Sequence, residues 1–135
     1  MAASRLTTDL DTKRTPKVIL GAISDPLASG LAQHFTKLGW QVKHVADSAA
    51  ARRAVADCRA YAVFLPTESG TESGFLACAK MAFGQPQTRV VLVGPDRAGY
   101  EEYARFAKAA GYVTPDMSAI EAANVVTGLL TPTAN

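Results

Sequence analysis

Short runs of apolar residues alternate along the chain with longer stretches whose apolar positions recur at helical spacing. Runs such as KVILGAI and AYAVFL are rich in apolar and branched side chains and predict strands buried on both faces of a sheet. The run QVKHVAD alternates valine with polar residues, which is typical of an edge strand. The predicted strands cover residues 17–23, 41–47, 60–65, 89–94 and 112–115.

Five amphipathic stretches predict helices that follow these strands. In the first stretch, leucine and phenylalanine recur every three or four positions after Ser24 and Asp25, either of which can cap a helix. The last stretch opens with Ser118 and Glu121, the spacing of a capping box. The predicted helices cover residues 27–38, 48–58, 74–83, 100–110 and 118–130.

Strands that alternate with helices through short loops favour parallel pairing with right-handed crossovers. Because the strands are so apolar, helices must cover both faces of the sheet. The sequence therefore predicts an α/β fold, a flavodoxin-like doubly wound five-stranded parallel sheet of order 2-1-3-4-5 with five helices. Ligand sites in such sheets lie at the carboxyl ends of the strands.

Length and composition fit one soluble domain, expected over residues 17–131 between a flexible polar arm (1–16) and a short tail (132–135). The net charge of +2 and the absence of a dense Lys/Arg run argue against direct nucleic-acid binding. No apolar stretch is typical of a signal peptide or of a membrane span, so we expect a cytoplasmic protein without membrane contact. The two cysteines, Cys58 and Cys78, are expected to be reduced.

Three segments at the predicted strand ends, KVILGAISDP, AYAVFLPTESGTESG and AAGYVTPD, carry a resemblance to a known family. Together with the order and lengths of the predicted elements, they resemble the receiver domain of bacterial response regulators over roughly residues 17–130. The resemblance implies a phosphoacceptor aspartate after the third strand and an acidic pair that holds Mg²⁺ after the first. It also implies a hydroxyl residue, a lysine and a switch aromatic at the later strand ends.

The chain departs from the family at every one of the reacting positions. The acidic pair falls on Ile23 and Ser24, with Asp25 as the one acid nearby, and the other positions fall on Pro66, Gly94 and Pro115. Phosphoryl transfer to a carboxylate needs a nucleophile, a divalent cation and a positive group, and these residues supply none of them. The chain therefore resembles a pseudo-receiver that is not an enzyme and has no catalytic residue, metal or cofactor.

The loop TESGTESG leaves a bolder alternative open. Glu68 and Glu72 are candidates for mimicking a phosphorylated aspartate, or for binding a metal with Asp25, whereas the simpler interpretation is two solvated loop acids. The loop hydroxyls are candidate sites for a kinase or simply turn and capping residues; they are Thr67, Ser69, Thr71 and Ser73.

Aromatic residues are concentrated in YEEYARFAKAAG and just after it. Helical spacing cannot bury Tyr100, Tyr103 and Phe106 on one face, and Tyr112 matches the family's switch aromatic. In the family, the face formed by the fourth helix, fifth strand and fifth helix is the usual partner and dimer surface. We therefore expect these aromatics to contact a signalling protein or a second copy of the chain.

The sequence thus predicts a phosphorylation-independent protein–protein interaction module of bacterial signal transduction. The alternative, from another class, is a small-molecule or nucleotide-binding sensor that uses the strand-end pocket, although no GxGxxG or GxxxxGK[ST] motif supports it. A third hypothesis, a phosphate-accepting receiver with unusual residues, has less support. A sensor should gain thermal stability with its ligand, whereas an interaction module should bind a specific protein or itself.

Overall fold

The computed structural model describes residues 15–68 and 72–130, which form one five-stranded parallel sheet with helices on both faces. The elements are β1 (Lys17–Gly21), α1 (Leu27–Lys37), β2 (Gln41–Val45), α2 (Ser48–Cys58), β3 (Ala62–Pro66), α3 (Gly74–Gly84), β4 (Arg89–Val93), α4 (Tyr100–Phe106), β5 (Gly111–Val113) and α5 (Ala119–Leu130). The strand order β2-β1-β3-β4-β5 confirms the predicted flavodoxin-like fold. Within the described residues, no helix combines the length and the apolar composition needed to cross a bilayer.

Four of the predictions concern residues outside the described part of the chain. The predicted arm, up to residue 14, and the predicted tail, residues 132–135, are among them. The same holds for the loop hydroxyls Ser69 and Thr71. The predicted domain limits and these two candidate modification sites therefore stay predictions.

Successive residues of the central strands pack into two separate apolar cores. Val18 and Leu20 of β1 join the cluster that includes residues of α1 and α5, whereas Ile19 joins the cluster that includes residues of α2, α3 and α4. All three side chains are buried, and each contributes about 1.5–3 kcal/mol of hydrophobic stabilisation. This arrangement explains why the inner strands are apolar at every position, since both of their faces are covered.

Several predicted element ends differ from the structure; β2 ends at Val45 and β5 at Val113, each two residues earlier than predicted. Strand β1 ends at Gly21, two residues earlier than predicted, because Ala22 turns the chain with a φ of 61°. Strand β3 continues one residue further, to Pro66. Helix α4 ends at Phe106, four residues earlier than predicted, and the chain turns at Lys108, which has a φ of 70°. Consequently β5 begins at Gly111, one residue earlier than predicted.

Candidate functional site

The carboxyl ends of the strands bring several of the predicted site residues to one rim of the sheet. Pro66 pairs with Val93 in the register of β3 and β4, and the amide of Thr67 donates to the carbonyl oxygen of Val93 at 2.9 Å. The amide of Gly94 donates in turn to a carbonyl oxygen of β5 at 3.0 Å. Pro115 follows β5 and is exposed. The backbone amides of Thr67 and Gly94 are therefore both paired at the strand ends where the resemblance expects reacting groups.

The space beside Gly94 is filled by two neighbouring side chains. A β-carbon on Gly94 would lie 2.5 Å from Oη of Tyr112 and 2.6 Å from Oγ1 of Thr67, closer than real side chains approach. Thr67 is buried, and the hydroxyl of Tyr112 donates a hydrogen bond to the carbonyl oxygen of Pro95 at 2.6 Å. Burial is the main cause that raises the pKa of the Tyr112 phenol above its ordinary value. We call this arrangement of Thr67, Gly94 and Tyr112 the closed strand end.

The loop after β3 returns to the same place through the start of α3. The amide of Gly74 donates to the carbonyl oxygen of Thr67 at 3.1 Å, and a β-carbon on Gly74 would overlap the carbonyl oxygen of Pro66. Only glycine allows this close approach of the helix to the strand end. Ser73, one of the candidate kinase sites, caps α3 by accepting the amide of Leu76 at 3.1 Å. The helix start therefore packs directly against the end of β3.

The residues after β1 serve the first helix and the core. Ile23 is half-buried against the apolar cluster of α1 and α5, and Ser24 is exposed. The carboxylate of Asp25 accepts the amide of Ser29 at 3.0 Å and its hydroxyl at 2.7 Å. These hydrogen bonds, chiefly the one from the hydroxyl, hold the pKa of Asp25 below its ordinary value. Of the two predicted caps of α1, Asp25 is the residue whose side chain bonds to the first turn.

Glu72 is engaged in an ion pair and is not the solvated loop acid that the simpler interpretation expected. Its carboxylate accepts Nε of Arg52 at 2.7 Å and Nη2 at 2.9 Å, and Nζ of Lys80 lies 3.2 Å away. The side chain of Glu72 is only 11% exposed. The hydrogen bonds from Arg52 are the main cause that lowers the pKa of Glu72. Because Glu72 contacts both Arg52 of α2 and Lys80 of α3, it links these two helices.

Magnesium, which the family's reaction requires, does not fit the side chains at the strand ends. The side chains of Ile23, Pro66 and Pro115 contain no oxygen, while Mg²⁺ prefers several oxygen ligands, carboxylates among them, in octahedral geometry. Glu68 is exposed and accepts the hydroxyl of Tyr100 at 3.1 Å. Across residues 15–68 and 72–130, no group of three His, Cys, Asp or Glu side chains could hold a metal ion. The structure therefore does not bring Glu68 and Glu72 together with Asp25 as a metal site.

The four aromatics predicted to form one interaction surface are divided by the structure. Tyr100 and Tyr103 pack against Phe75 of α3, with ring centroids 5.7 and 5.6 Å apart. Tyr103 is 61% exposed and Phe106 is 84% exposed. Tyr112 instead points to the closed strand end. The exposed aromatics Tyr103 and Phe106 therefore lie on the side of α4 that faces α3, whereas Tyr112 lies at the closed strand end, and the predicted interaction surface stays a prediction.

A groove between α3 and α4 contains residues that the sequence analysis missed. Phe83, which is 91% exposed, lines it together with Phe106 and Lys108, and the groove has a volume of about 490 Å³. We call it the α3–α4 groove. Leu76 is exposed seven residues, or about two helical turns, before Phe83, so the two project from the same face of α3. The seven-residue spacing of two apolar residues in a predicted helix was the signal that could have revealed this face.

No protein-family model and no curated protein matches the sequence. Several solved structures match the fold. The signal receiver domain of an HD domain-containing protein from Pseudomonas fluorescens Pf-5 is 16% identical, with a TM-score of 0.76 over 87% of this chain and 95% of the other. A two-component response regulator of the LuxR family from Aurantimonas sp. SI85-9A1 is 18% identical, with a TM-score of 0.75 over 86% and 85%.

A third solved structure contains a receiver domain in complex with another protein. It is the co-crystal structure of the Saccharomyces cerevisiae histidine phosphotransfer signalling protein Ypd1 and the receiver domain of its downstream response regulator Ssk1. The match is 12% identical, with a TM-score of 0.73 over 84% of this chain and 87% of the other. Together, these likenesses show that the chain has the fold of a receiver domain.

Proposed function

We propose that the chain is a degenerate receiver domain of bacterial two-component signalling that acts through protein contacts and accepts no phosphoryl group. The closed strand end is the observation that carries this proposal. Phosphoryl transfer needs a nucleophile and room for three phosphoryl oxygens, but Pro66 offers no nucleophile, and Tyr112 and Thr67 fill the space beside Gly94. As a non-catalytic signalling protein, it would work in the cytoplasm.

The closed strand end also supports an interaction surface that keeps one conformation and does not switch with phosphorylation. Tyr112 matches the switch aromatic of the receiver family, and its hydroxyl is held inward by Pro95. The inward position of Tyr112 requires the absence of a side chain at Gly94, which is a property of the sequence and not of a bound ligand. We therefore expect partner binding that does not depend on phosphate. The complex of the Ssk1 receiver domain with Ypd1 shows that this fold can offer a surface to a signalling protein.

An NMR titration tests the proposal directly. Amide shifts are recorded while Mg²⁺ is added alone, and then with beryllofluoride, which imitates an aspartyl phosphate. We expect no localised, saturable shift at residues 23–25, 66–68 or 94–95, because within the described residues these segments bring together no group of carboxylates that could hold the metal ion. A receiver domain with an intact aspartate serves as the positive control. A saturable response at these residues would contradict the proposal, and the variants Asp25→Asn and Glu68→Gln would then identify the responsible acid.

One pocket beside the strand ends favours the alternative function, a small-molecule or nucleotide sensor. A depression of about 580 Å³ is lined by Asp25, Pro115, Asp116 and Ser118, among others. Its acids are already bonded, since Asp25 binds Ser29 and Asp116 accepts the hydroxyl of a neighbouring threonine at 2.6 Å. A thermal-shift screen with nucleotides and small anions distinguishes a sensor from an interaction module. A ligand at a hundred times its Kd raises the free energy of unfolding by about 2.7 kcal/mol.

A further inference from the structure

The facing sides of α3 and α4 form the most exposed apolar surface in the described part of the chain. Four of its large apolar side chains are exposed there: Phe83 at 91%, Phe106 at 84%, Tyr103 at 61% and Leu76 at 49%. From the size of such side chains, they expose on the order of 500 Å². Soluble monomers rarely expose a larger contiguous apolar patch unless it binds something.

The shape of this surface combines projections with a cavity. The rings of Phe83 and Phe106 stand out into solvent, and between them lies the α3–α4 groove of about 490 Å³. Val90 and Ala107 are among the buried apolar residues at its base. A two-fold axis brings identical surfaces face to face, so a projecting ring beside a cavity is complementary to its own copy.

The charges of α4 have the same self-complementary arrangement. Glu102 lies in its first turn, on the same side of the helix as Phe106, whereas Lys108 follows its carboxyl end and lines the groove. Both side chains are exposed, and neither makes a salt bridge to another residue in the described ranges. Two antiparallel copies of α4 would place the acidic end of each helix beside the basic end of the other. These contacts would favour a second copy over a partner of uniform charge.

We propose that the chain forms a two-fold symmetric homodimer through the α3–α4 groove, with Phe83 of each copy seated in the groove of the other. The inference rests on the proposed function and names the partner of its interaction surface. A stable interface buries about 800 Å² on each partner, and the four apolar side chains supply more than half of that area. The charged residues of α4 complete its rim. This interface differs from the predicted face of the fourth helix, fifth strand and fifth helix.

Sedimentation equilibrium of the full chain, across a wide range of protein concentration, measures the dimer. We expect Phe83→Ser and Phe106→Ser each to raise the dimer dissociation constant by about thirtyfold or more, as for residues at the centre of an interface. The matched control is Ile120→Ser on α5, because Ile120 is 60% exposed but lies outside this surface, and it should leave the constant unchanged. Circular dichroism checks that each variant is folded.

A charge exchange then tests the two-fold geometry. Glu102→Lys and Lys108→Glu should each weaken self-association, because each creates two repulsive contacts across the axis. An equimolar mixture of the two variants should associate more tightly than either variant alone, since both contacts become attractive in the mixed dimer.

Three results would overturn the inference: a monomer at the highest concentrations, a dimer that only Ile120→Ser disrupts, and a mixture no tighter than its components. None of them affects the proposed lack of phosphorylation, which the NMR titration decides separately.

Discussion

Replacing Gly94 by alanine places a single methyl group into the closed strand end. The new carbon would lie 2.5 Å from Oη of Tyr112, 2.6 Å from Oγ1 of Thr67 and 2.8 Å from its Cγ2. The Tyr112 oxygen ends a long side chain and can swing away, but only by leaving the carbonyl oxygen of Pro95. Thr67 is buried, and its carbonyl oxygen receives the amide of Gly74, so it cannot retreat without displacing the start of α3.

The expected cost combines three effects. Overpacking of a buried site costs about 1–3 kcal/mol, and loss of the Tyr112 hydrogen bond adds about 1 kcal/mol. Alanine restricts the unfolded chain more than glycine does, which offsets about 0.4–1 kcal/mol of this destabilisation. We therefore expect Gly94→Ala to lower the free energy of unfolding by about 2 kcal/mol. With a urea dependence of about 2 kcal/mol per molar, the unfolding midpoint falls by about 1 M.

Urea unfolding followed by tryptophan fluorescence measures this change. Trp40 is the sole tryptophan, is 8% exposed, and contacts the rings of Phe35 and Tyr61. The control is Gly128→Ala in α5, where an added β-carbon meets no atom within 4 Å and should stabilise the helix by about 0.5–1 kcal/mol. An unchanged midpoint for Gly94→Ala would refute the closed strand end. Adding Tyr112→Phe to this variant should recover part of the loss, because the nearest clash disappears.

The ion pair and the buried thiol give the remaining predictions. Glu72→Gln should destabilise the domain by about 1–2 kcal/mol in urea unfolding, more than an exposed pair, because the bidentate contact with Arg52 is largely shielded from solvent. The pKa of Glu72 is lower in the folded than in the unfolded protein, so its contribution is complete above the unfolded value near 4.5 and is lost as pH falls through the folded value. The variant should therefore show a weaker loss of stability with acid, and an identical pH profile would contradict this reasoning. Burial raises the pKa of Cys78 to about 12, so a thiol reagent at mildly alkaline pH should modify half-buried Cys58 first and Cys78 only on unfolding. Equal native reactivity of the two thiols, with Cys58→Ser as the control, would show that Cys78 is accessible.

The fold was predictable because its determinants are local. The apolar strand runs, the helical spacing between them and the short loops together allow few arrangements other than a doubly wound sheet. The residues at the positions where the resemblance expects reacting groups, Ile23, Pro66, Gly94 and Pro115, are also read from the chain directly. Element ends were less predictable, because turns at Ala22 and Lys108 use left-handed backbone that neither residue type indicates.

The identity of each residue at the strand ends, on which the proposed lack of phosphoryl transfer rests, was a property of the sequence alone. The direction and the partner of each side chain depended on packing between segments distant along the chain. Glu72 contacts Arg52 twenty positions away, and the hydroxyl of Tyr112 packs beside Gly94, just after β4, because glycine leaves room for it. Helical spacing shows that some aromatics must be exposed, but the position of α3 beside α4 made Phe83 and Phe106 line one groove. Such contacts are set by distances between elements, which no local pattern of residues encodes.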